Sequence, residues 1–172
     1  MKTIQHLTLI FLFVFTGLIG CKQKPDKSKQ NTTEGQKPEL IKKWSTDSIM
    51  KVPESVCYDP GNDVLYVANI QGKPSEKDGN GFISKLTPEG KVLSLKWVAG
   101  LDAPKGMGVY NGKLYVTNID EIVEIDIASA RIANRYPCKG AEFANDIAIN
   151  DAGVVFASDM TGGSIYRLKE GS

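Results

Sequence analysis

The sequence predicts an all-β fold built from a repeated unit of short strands. Three segments align, and each has an apolar strand, a turn and a second apolar strand that ends in a polar residue: Ser55–Ile70, Gly106–Ile119 and Asp146–Met160. Aromatic residues stand at matching positions in the three segments, namely Tyr66, Tyr115 and Phe156. No segment shows a convincing apolar period of the kind that an amphipathic helix requires.

The turn inside each unit is the clearest local signal. Asn111-Gly112 stands between two apolar runs, and this pair predicts a two-residue hairpin because both turn residues take positive φ. The turns of the other two units are predicted at 59–62 and 150–153. We expect the aromatic residues to be core. We expect the polar strand ends, which are Asn69, Asn118 and Asp159, to hydrogen-bond the loops between units.

Further strands follow each hairpin. Third strands are predicted at Phe82–Leu86, Glu121–Ile125 and Ser164–Leu168, and fourth strands at Val92–Val98 and Arg131–Tyr136. Four strands in every 40 to 50 residues or so are typical of a β-propeller blade. The insertion Gln71–Gly81 is predicted to be a surface loop rather than a calcium loop, since it lacks the spaced acids of an EF-hand.

The number of blades is small for a propeller. About three are present, whereas roughly four to eight are needed to close the ring. The third unit also stops before a fourth strand. An open stack would leave an apolar face and strand edges in water. We therefore expect a fragment or a truncated product, with half of an assembly as the remaining alternative.

The first residues have the pattern of an export signal. Lys2 gives a positive start, Leu7–Phe15 is almost wholly apolar, and Leu18-Ile19-Gly20-Cys21 follows. This is typical of a secretory signal and too short for a membrane span. The last four residues resemble the lipobox of bacterial lipoproteins, which implies cleavage before Cys21 and lipidation of its thiol. An ordinary signal with an incidental cysteine is the alternative.

These features divide the chain into three parts. Residues 1–20 are the predicted lipoprotein signal peptide, 21–39 the lipidated cysteine with a flexible tether, and 40–172 the incomplete β-propeller. Residues 22–39 contain no large apolar side chain and cannot bury a core. Two or three acyl chains would anchor the protein stably. We therefore expect a location in the bacterial cell envelope, lipid-anchored, facing the periplasm or the cell surface.

Composition excludes several classes of function. The chain has 21 basic and 20 acidic residues, and its folded part shows no basic stripe, so nucleic acid is not an expected partner. The single histidine is His6, inside the predicted signal. The mature protein then lacks the imidazole that Ser-His-Asp catalysis and histidine zinc sites require. Cys57 and Cys138 could pair in an oxidising compartment, but their apolar and aromatic neighbours favour two buried free thiols.

Two motifs resemble those of the senescence marker protein/gluconolactonase family, the six-bladed β-propellers that include regucalcin. The first motif is Pro53-Glu54-Ser55-Val56 followed by Leu65-Tyr66-Val67. The second is Phe143-Ala144-Asn145-Asp146 followed by Gly153 and Phe156-Ala157. The resemblance covers Pro53–Leu168, about the first half of such a fold. It implies a β-propeller of the six-bladed type, with about three blades in this chain.

The resemblance also implies a site. Glu54 would be a metal ligand, and Asn145 and Asp146 would contact substrate in the central channel. The later Asn and Asp that complete the family's metal site have no counterpart here, so the catalytic residue stays unknown. Lys105 takes the equivalent position in the second unit and departs from the oxygen-rich pattern. We expect Lys105 to bind an anionic substrate or to repel a cation.

Two functions follow from these residues. Carboxylate and amide oxygens suit calcium, magnesium or manganese, and such a divalent cation would support a lactonase-type hydrolase acting on a lactone or similar ester. The expected small-molecule partner is a lactone or a sugar acid. This chain alone is expected to be inactive. The alternative is a non-catalytic propeller that binds or scaffolds, like lipoproteins with NHL-type repeats. A third interpretation makes Glu54 and Asp146 ordinary strand-start residues that cap a turn.

Overall fold

The computed structural model describes residues 37–169. The predicted signal peptide, the lipidated Cys21 and most of the predicted tether lie outside these residues. Within them the chain is all-β, as predicted, with eleven antiparallel strands in three sheets and no helix. A membrane-spanning helix is accordingly not found between residues 37 and 169. The three sheets belong to one compact unit that begins at Ile41.

Each sheet is a simple meander in which consecutive strands pair. Sheet 1 is built from β1 (Pro53–Asp59), β2 (Val64–Asn69), β3 (Gly81–Leu86) and β4 (Val92–Leu101). Sheet 2 is built from β5 (Pro104–Tyr110), β6 (Lys113–Asn118), β7 (Glu121–Asp126) and β8 (Arg131–Pro137). Sheet 3 is built from β9 (Ala144–Ile149), β10 (Val155–Asp159) and β11 (Ser164–Leu168).

The hairpin between β5 and β6 forms at the predicted Asn111-Gly112 turn. Asn111 and Gly112 both take positive φ, 46° and 74°, as a tight turn between β5 and β6 requires. The register then pairs Tyr110 with Lys113 and Val109 with Leu114. Because side chains alternate along a strand, this register sends the residues of β6 alternately to the two faces of sheet 2.

Sheet 2 is buried on both faces. Leu114 and Val116 of β6 join an apolar cluster with sheet 1, whereas Tyr115 between them joins a second cluster with sheet 3. The first cluster includes Tyr66 and Ile83 of sheet 1, which are wholly buried. The three sheets are therefore stacked face against face, and burial of apolar side chains at the two joints supplies the main stabilisation.

The polar residues that end the second strands fix the segments between sheets. Asn69 Oδ1 accepts a hydrogen bond from the N–H of Lys51 (3.1 Å). Asn118 Oδ1 accepts from the N–H groups of Asp102 and Ala103, both at 3.0 Å. Asp159 plays the same part at the start of sheet 3, where its carboxylate accepts from the N–H groups of residues 142 and 143. These side chains are buried, and their role is structural.

Two expectations about the core need correction. Phe156 is only half-buried, unlike Tyr66 and Tyr115, because its face of sheet 3 is not covered by another sheet within residues 37–169. Cys57 is also half-buried rather than buried, whereas Cys138 is buried, and both are free thiols. Cys138 is packed in the joint between sheets 2 and 3.

Candidate functional site

The first strands of the three sheets lie side by side, with β5 in contact with both β1 and β9. Ser55 Oγ donates a hydrogen bond to the Lys105 carbonyl (2.5 Å) and so ties β1 to β5. Thr117 Oγ1 donates to the Asn145 carbonyl (2.8 Å) and ties sheet 2 to β9. All four predicted site residues of the folded part lie near the starts of these strands, and the candidate site is the surface that they share.

Each first strand carries one extra residue at the site. The pairing shifts between Pro53 and Ser55 in β1, between Pro104 and Met107 in β5, and on β9 opposite Ala157 and Asp159. A bulge of this kind bends a strand and redirects its side chains, and bulges are common beside active sites. The inserted segments contain Glu54, Lys105-Gly106 and Asn145-Asp146. Sequence analysis missed the bulges because the apolar pattern around each one is preserved.

Lys105 is the buried charge of the site. Its side chain is 1% exposed, its Nζ donates to the Ala103 carbonyl (2.9 Å), and it stands 4.3 Å from the centre of the Phe143 ring. Burial lowers the pKa of Lys105 to about 8, and the nearby carboxylate of Glu54 opposes that change. The ammonium is therefore enclosed by the fold rather than projecting freely into solvent.

Glu54 is the exposed acid of the site. Although the residue as a whole is exposed, partial burial of its carboxyl group is the main cause that raises its pKa. The positive charge of Lys105 lowers the pKa in part, and the negative charge of Asp146 raises it further. Electrostatic coupling of this kind requires the three groups to be near one another. The backbone contacts agree, because Ser55 Oγ donates to the Lys105 carbonyl and Gly106 lies against the Asp146 backbone, so the structure brings the segments of Glu54, Lys105 and Asp146 together.

Asp146 and Asn145 begin the first strand of sheet 3. Asp146 Oδ1 accepts a hydrogen bond from the N–H of Ile147 (2.8 Å), and the backbone N–H of Asp146 donates to Ser158 Oγ (3.2 Å). Asp146 is exposed and Asn145 is half-buried. The second carboxylate oxygen of Asp146 is left for solvent or a ligand.

Gly106 allows β5 and β9 to come this close. A Cβ atom at Gly106 would lie 2.5 Å from the Cα atom of Asp146 and 2.7 Å from the carbonyl oxygen of Asn145. Both atoms belong to the backbone of β9, which cannot move aside to make room for a side chain. Glycine is therefore required next to Lys105, and it sets the spacing between Lys105 and Asp146. Sequence analysis did not identify this role, because Gly106 has no turn or positive φ to mark it.

The donor set present does not by itself fit the divalent cation that the family resemblance implies. Between residues 37 and 169 no group of three His, Cys, Asp or Glu side chains is close enough to hold a metal ion. Glu54 and Asp146 offer two carboxylates, but the Lys105 ammonium is already coupled to Glu54. Two exposed carboxylates beside a buried positive charge suit a polar organic ligand, since the carboxylates accept hydrogen bonds from hydroxyl groups and the positive charge attracts an acidic group.

A shallow groove of about 160 Å³ lies beside the site on the outer face of sheet 3. Asp146, Phe156 and Ile165 line it. Larger cavities, of about 290 and 360 Å³, lie around Tyr110 and Asn111 at the opposite end of β5. The first of these is lined by Lys113, whose amine is engaged by Glu124 at 3.1 Å.

Comparisons with known proteins give no family. The chain matches no protein-family model and no curated protein. Among solved structures it is similar to the computationally designed Ika4 protein, with 12% identity and a TM-score of 0.46, over 67% of this chain and 64% of that one. It is also similar to the designed Ika8 protein, with 12% identity and a TM-score of 0.44, over 65% and 31%. The chain therefore spans less than two thirds of either design, and these scores are too low to support an argument.

Proposed function

We propose that this chain is an exported, lipid-anchored β-propeller protein that binds a small polar molecule, of the sugar acid or lactone class, where β1, β5 and β9 begin. The observation that carries the proposal is the convergence of Glu54, Lys105 and Asp146 on the starts of strands that contact one another. Such a ligand offers hydroxyl groups to the two exposed carboxylates, and the positive charge of the buried Lys105 attracts its acidic group without direct contact. The membrane is the second partner, through Cys21.

The propeller architecture is supported by the way in which the sheets repeat. Three meanders follow one another along the chain, each with its first strand beside the first strand of the next. Propeller blades are four-stranded meanders whose first strands surround a channel. In such a ring the starts of β1, β5 and β9 would line one end of the channel, which is where small ligands bind.

Binding without catalysis is the better supported function because of Lys105. A buried ammonium beside Glu54 opposes a second cation at the same place, since like charges close together in a low-dielectric site repel. A divalent cation is what a lactonase of the resembled family would use to activate water. The proposal therefore follows the binding or scaffold class, like lipoproteins with NHL-type repeats.

The second candidate is a metal-dependent hydrolase of the gluconolactonase type acting on a lactone or ester. Glu54 and Asp146 favour it, because two carboxylates whose charges interact are the beginning of a site for calcium, magnesium or manganese. This candidate requires further oxygen ligands, and no group of three His, Cys, Asp or Glu side chains lies together among residues 37–169. We assign no catalytic residue.

Calorimetry tests the binding proposal. The full chain, in a mild detergent, is titrated with gluconate and with gluconolactone, and then compared with Glu54→Gln and Asp146→Asn variants. We expect gluconate to bind and each variant to weaken binding by about tenfold, or roughly 1.4 kcal/mol. Asp151→Asn, an exposed loop position, is the matched control and should bind like the wild type. Equal affinity in all four proteins would exclude the site.

A calcium titration separates the two candidates. The hydrolase candidate predicts that millimolar calcium raises the melting temperature and that Glu54→Ala removes the effect. The binding proposal predicts no calcium effect in either protein. A lactone hydrolysis assay of this chain should be negative, and sustained turnover would reverse the order of the two candidates.

The lipid anchor is tested separately. The chain is expressed in a bacterium with an alkyne-tagged fatty acid, and the product is examined for label and for membrane association. We expect label on the wild type and loss of both label and sedimentation with membranes in Cys21→Ser. A labelled Cys21→Ser protein would show that the lipobox resemblance is incidental.

A further inference from the structure

We propose that two copies of this chain join head to tail, the outer face of sheet 3 of one copy packing against the outer face of sheet 1 of the other, and so close a ring of six sheets. The outer face of sheet 1 is defined here by Val56, Tyr58, Leu65, Val67 and Leu93. The outer face of sheet 3 is defined by Asp146, Ala148, Phe156, Ser158 and Ile165. This proposal concerns assembly and does not depend on what ligand the site binds.

The outer face of sheet 1 has the composition of a buried joint. Val56 pairs with Val67, as Met107 pairs with Val116 in sheet 2 and Ile147 with Ala157 in sheet 3. Met107 packs into the joint with sheet 1, and Ile147 packs into the joint with sheet 2. The first strand of each later sheet therefore uses this position to contact the preceding sheet.

Sheet 1 has no preceding sheet among residues 37–169, and the same positions are exposed. Val56 is 64% exposed, Tyr58 51% and Leu93 48%. Tyr58 corresponds to Val109 of sheet 2 and Ile149 of sheet 3, which pack into the two joints. On β1 and at Leu93, sheet 1 thus presents to solvent side chains whose counterparts in sheets 2 and 3 contact a neighbouring sheet, although Ser84 and Leu86 of β3 on the same face are buried.

The outer face of sheet 3 is the complementary surface. Ile165 pairs with Ser158, as Ile83 pairs with Ala68 and Ile122 with Thr117. Ile83 and Ile122 are 0% and 2% exposed because the following sheet covers them, whereas Ile165 is 70% exposed. Phe156 occupies the position of Tyr66 and Tyr115, which are buried at the joints. Among residues 37–169 no following sheet covers this face of sheet 3.

The joint between sheets 2 and 3 shows how the two faces fit. Gly108 of β5 lies against Ile147 and Ile149 of β9, so that a Cβ atom there would be 2.8 Å from Ile149 Cδ1 and 3.1 Å from Ile147 Cγ2. The small residue of one first strand thus meets two larger residues of the next. Ala148 of β9 corresponds to Gly108, and Val56 and Tyr58 correspond to the two isoleucines.

The outer faces of sheets 1 and 3 therefore have the two complementary surfaces of one further joint. A second copy of the chain can cover both faces without the need for another protein. Two copies would cover both outer faces of each chain at once and leave none exposed. Head-to-tail contacts that close into a ring give a finite, soluble assembly. Six sheets also fall within the range of about four to eight at which propellers close.

Assembly would complete the site. In a ring with twofold symmetry the first strands of both copies surround one axis. Glu54 and Asp146 of each copy would then line one channel, with the buried Lys105 of each copy behind them, so the channel would contain twice the carboxylates found in one chain. The site is incomplete without the second copy, since a single chain lines only part of the channel.

Complementary charges test the direct contact between the two faces. The masses of the full chain, of Val56→Lys and of Ala148→Glu are measured by sedimentation equilibrium in density-matched detergent. We expect a dimer of the 18.7 kDa chain, apart from signal cleavage and lipid. Each variant should weaken dimerisation on the order of 100-fold, because its dimer would bury one unpaired charge in each of the two joints. An equimolar mixture of the two variants should form a heterodimer, since one joint then pairs Lys with Glu and the other is wild type.

Leu40→Lys is the matched control, because Leu40 is fully exposed and lies outside all strands. It should dimerise like the wild type. Circular dichroism confirms that the variants fold, as expected for substitutions at exposed positions. A wild-type chain that stays monomeric at high micromolar concentration overturns the proposal. So does a dimer that neither variant weakens, or a pair of monomeric variants that do not associate when mixed, because another surface or another partner then covers these faces.

Discussion

Replacing Lys105 with methionine should flatten the pH dependence of stability between pH 7 and 9. The Lys105 side chain is 1% exposed, and burial lowers its pKa from 10.5 to about 8. The folded protein then releases this proton at a lower pH than the unfolded chain does. Stability from a lowered lysine pKa is fully present above 10.5 and is lost as the pH falls through about 8. Methionine has a similar apolar volume and no charge.

The size of the effect follows from the two pKa values. Between pH 7 and 9 the folded state loses most of the Lys105 proton while the unfolded chain keeps it. The free energy of unfolding should therefore rise by roughly 1 kcal/mol more in the wild type than in Lys105→Met. Burial raises the pKa of Cys138 to about 11, which opposes the rise. Because Cys138 is present in both proteins, its contribution cancels in the comparison.

Urea unfolding followed by tryptophan fluorescence provides the assay. Trp97 is half-buried, with its ring centroid 4.7 Å from that of Tyr66, so its emission should change when sheets 1 and 2 separate. Curves are recorded at pH 7, 8 and 9 at constant ionic strength. Lys91→Met, at an exposed position before β4, is the control and should keep the wild-type slope. Parallel profiles for the wild type and Lys105→Met would refute the assignment of Lys105 as a buried, pKa-lowered amine.

Three further predictions concern the joints between elements. Asn118→Ala should destabilise the protein by about 2–3 kcal/mol in urea, because the N–H groups of two linker residues lose their buried acceptor. Gly106→Ala should cost about 1–3 kcal/mol by the same measurement and more than Gly108→Ala, since the first clashes with backbone and the second with movable side chains. A thiol reagent should label Cys57 faster than Cys138 in the native protein, because Cys138 is buried and the pKa of its thiol is about 11. Equal labelling rates would show that β8 opens readily.

The strands and turns were predictable because they depend on local patterns. Asn111-Gly112 specifies a turn by its φ angles, and the alternation around it specifies two strands. All strand predictions are found within a few residues, including β11, predicted at Ser164–Leu168 and observed there. The fourth strand of sheet 1 extends further than predicted, to Leu101. It does so because β4 remains paired with β3 through several register shifts, as far as the pair Gly81 and Leu101.

The geometry of the site was less predictable because it depends on contacts between sheets. The sequence indicated Glu54, Lys105 and Asp146 as candidates, but not that Lys105 would be buried against Phe143. Burial of this lysine results from a bulge in β5 and from the close approach at Gly106. Neither leaves a periodic signal, because a bulge adds one residue without changing the apolar residues on either side.

Burial on the outer faces was misjudged for a related reason. Phe156 matches Tyr66 and Tyr115 in the repeat, and the match alone predicts a core residue. Whether such a residue is buried is decided by the neighbouring sheet and not by its own strand. The half-buried state of Phe156 therefore indicates that no sheet among residues 37–169 covers its face. It is one of the observations behind the proposed dimer.

Carbon-13 NMR titration of the Glu54 side-chain carboxyl group tests the central claim most directly, because that claim is the convergence of three charges at the starts of β1, β5 and β9. We expect the pKa of Glu54 to lie above its ordinary value, to fall in Asp146→Asn and to rise further in Lys105→Met. Asp151→Asn should leave the titration unchanged. If neither substitution at the site moves the titration of Glu54, the three residues do not share a site, and the proposed ligand-binding function loses its support.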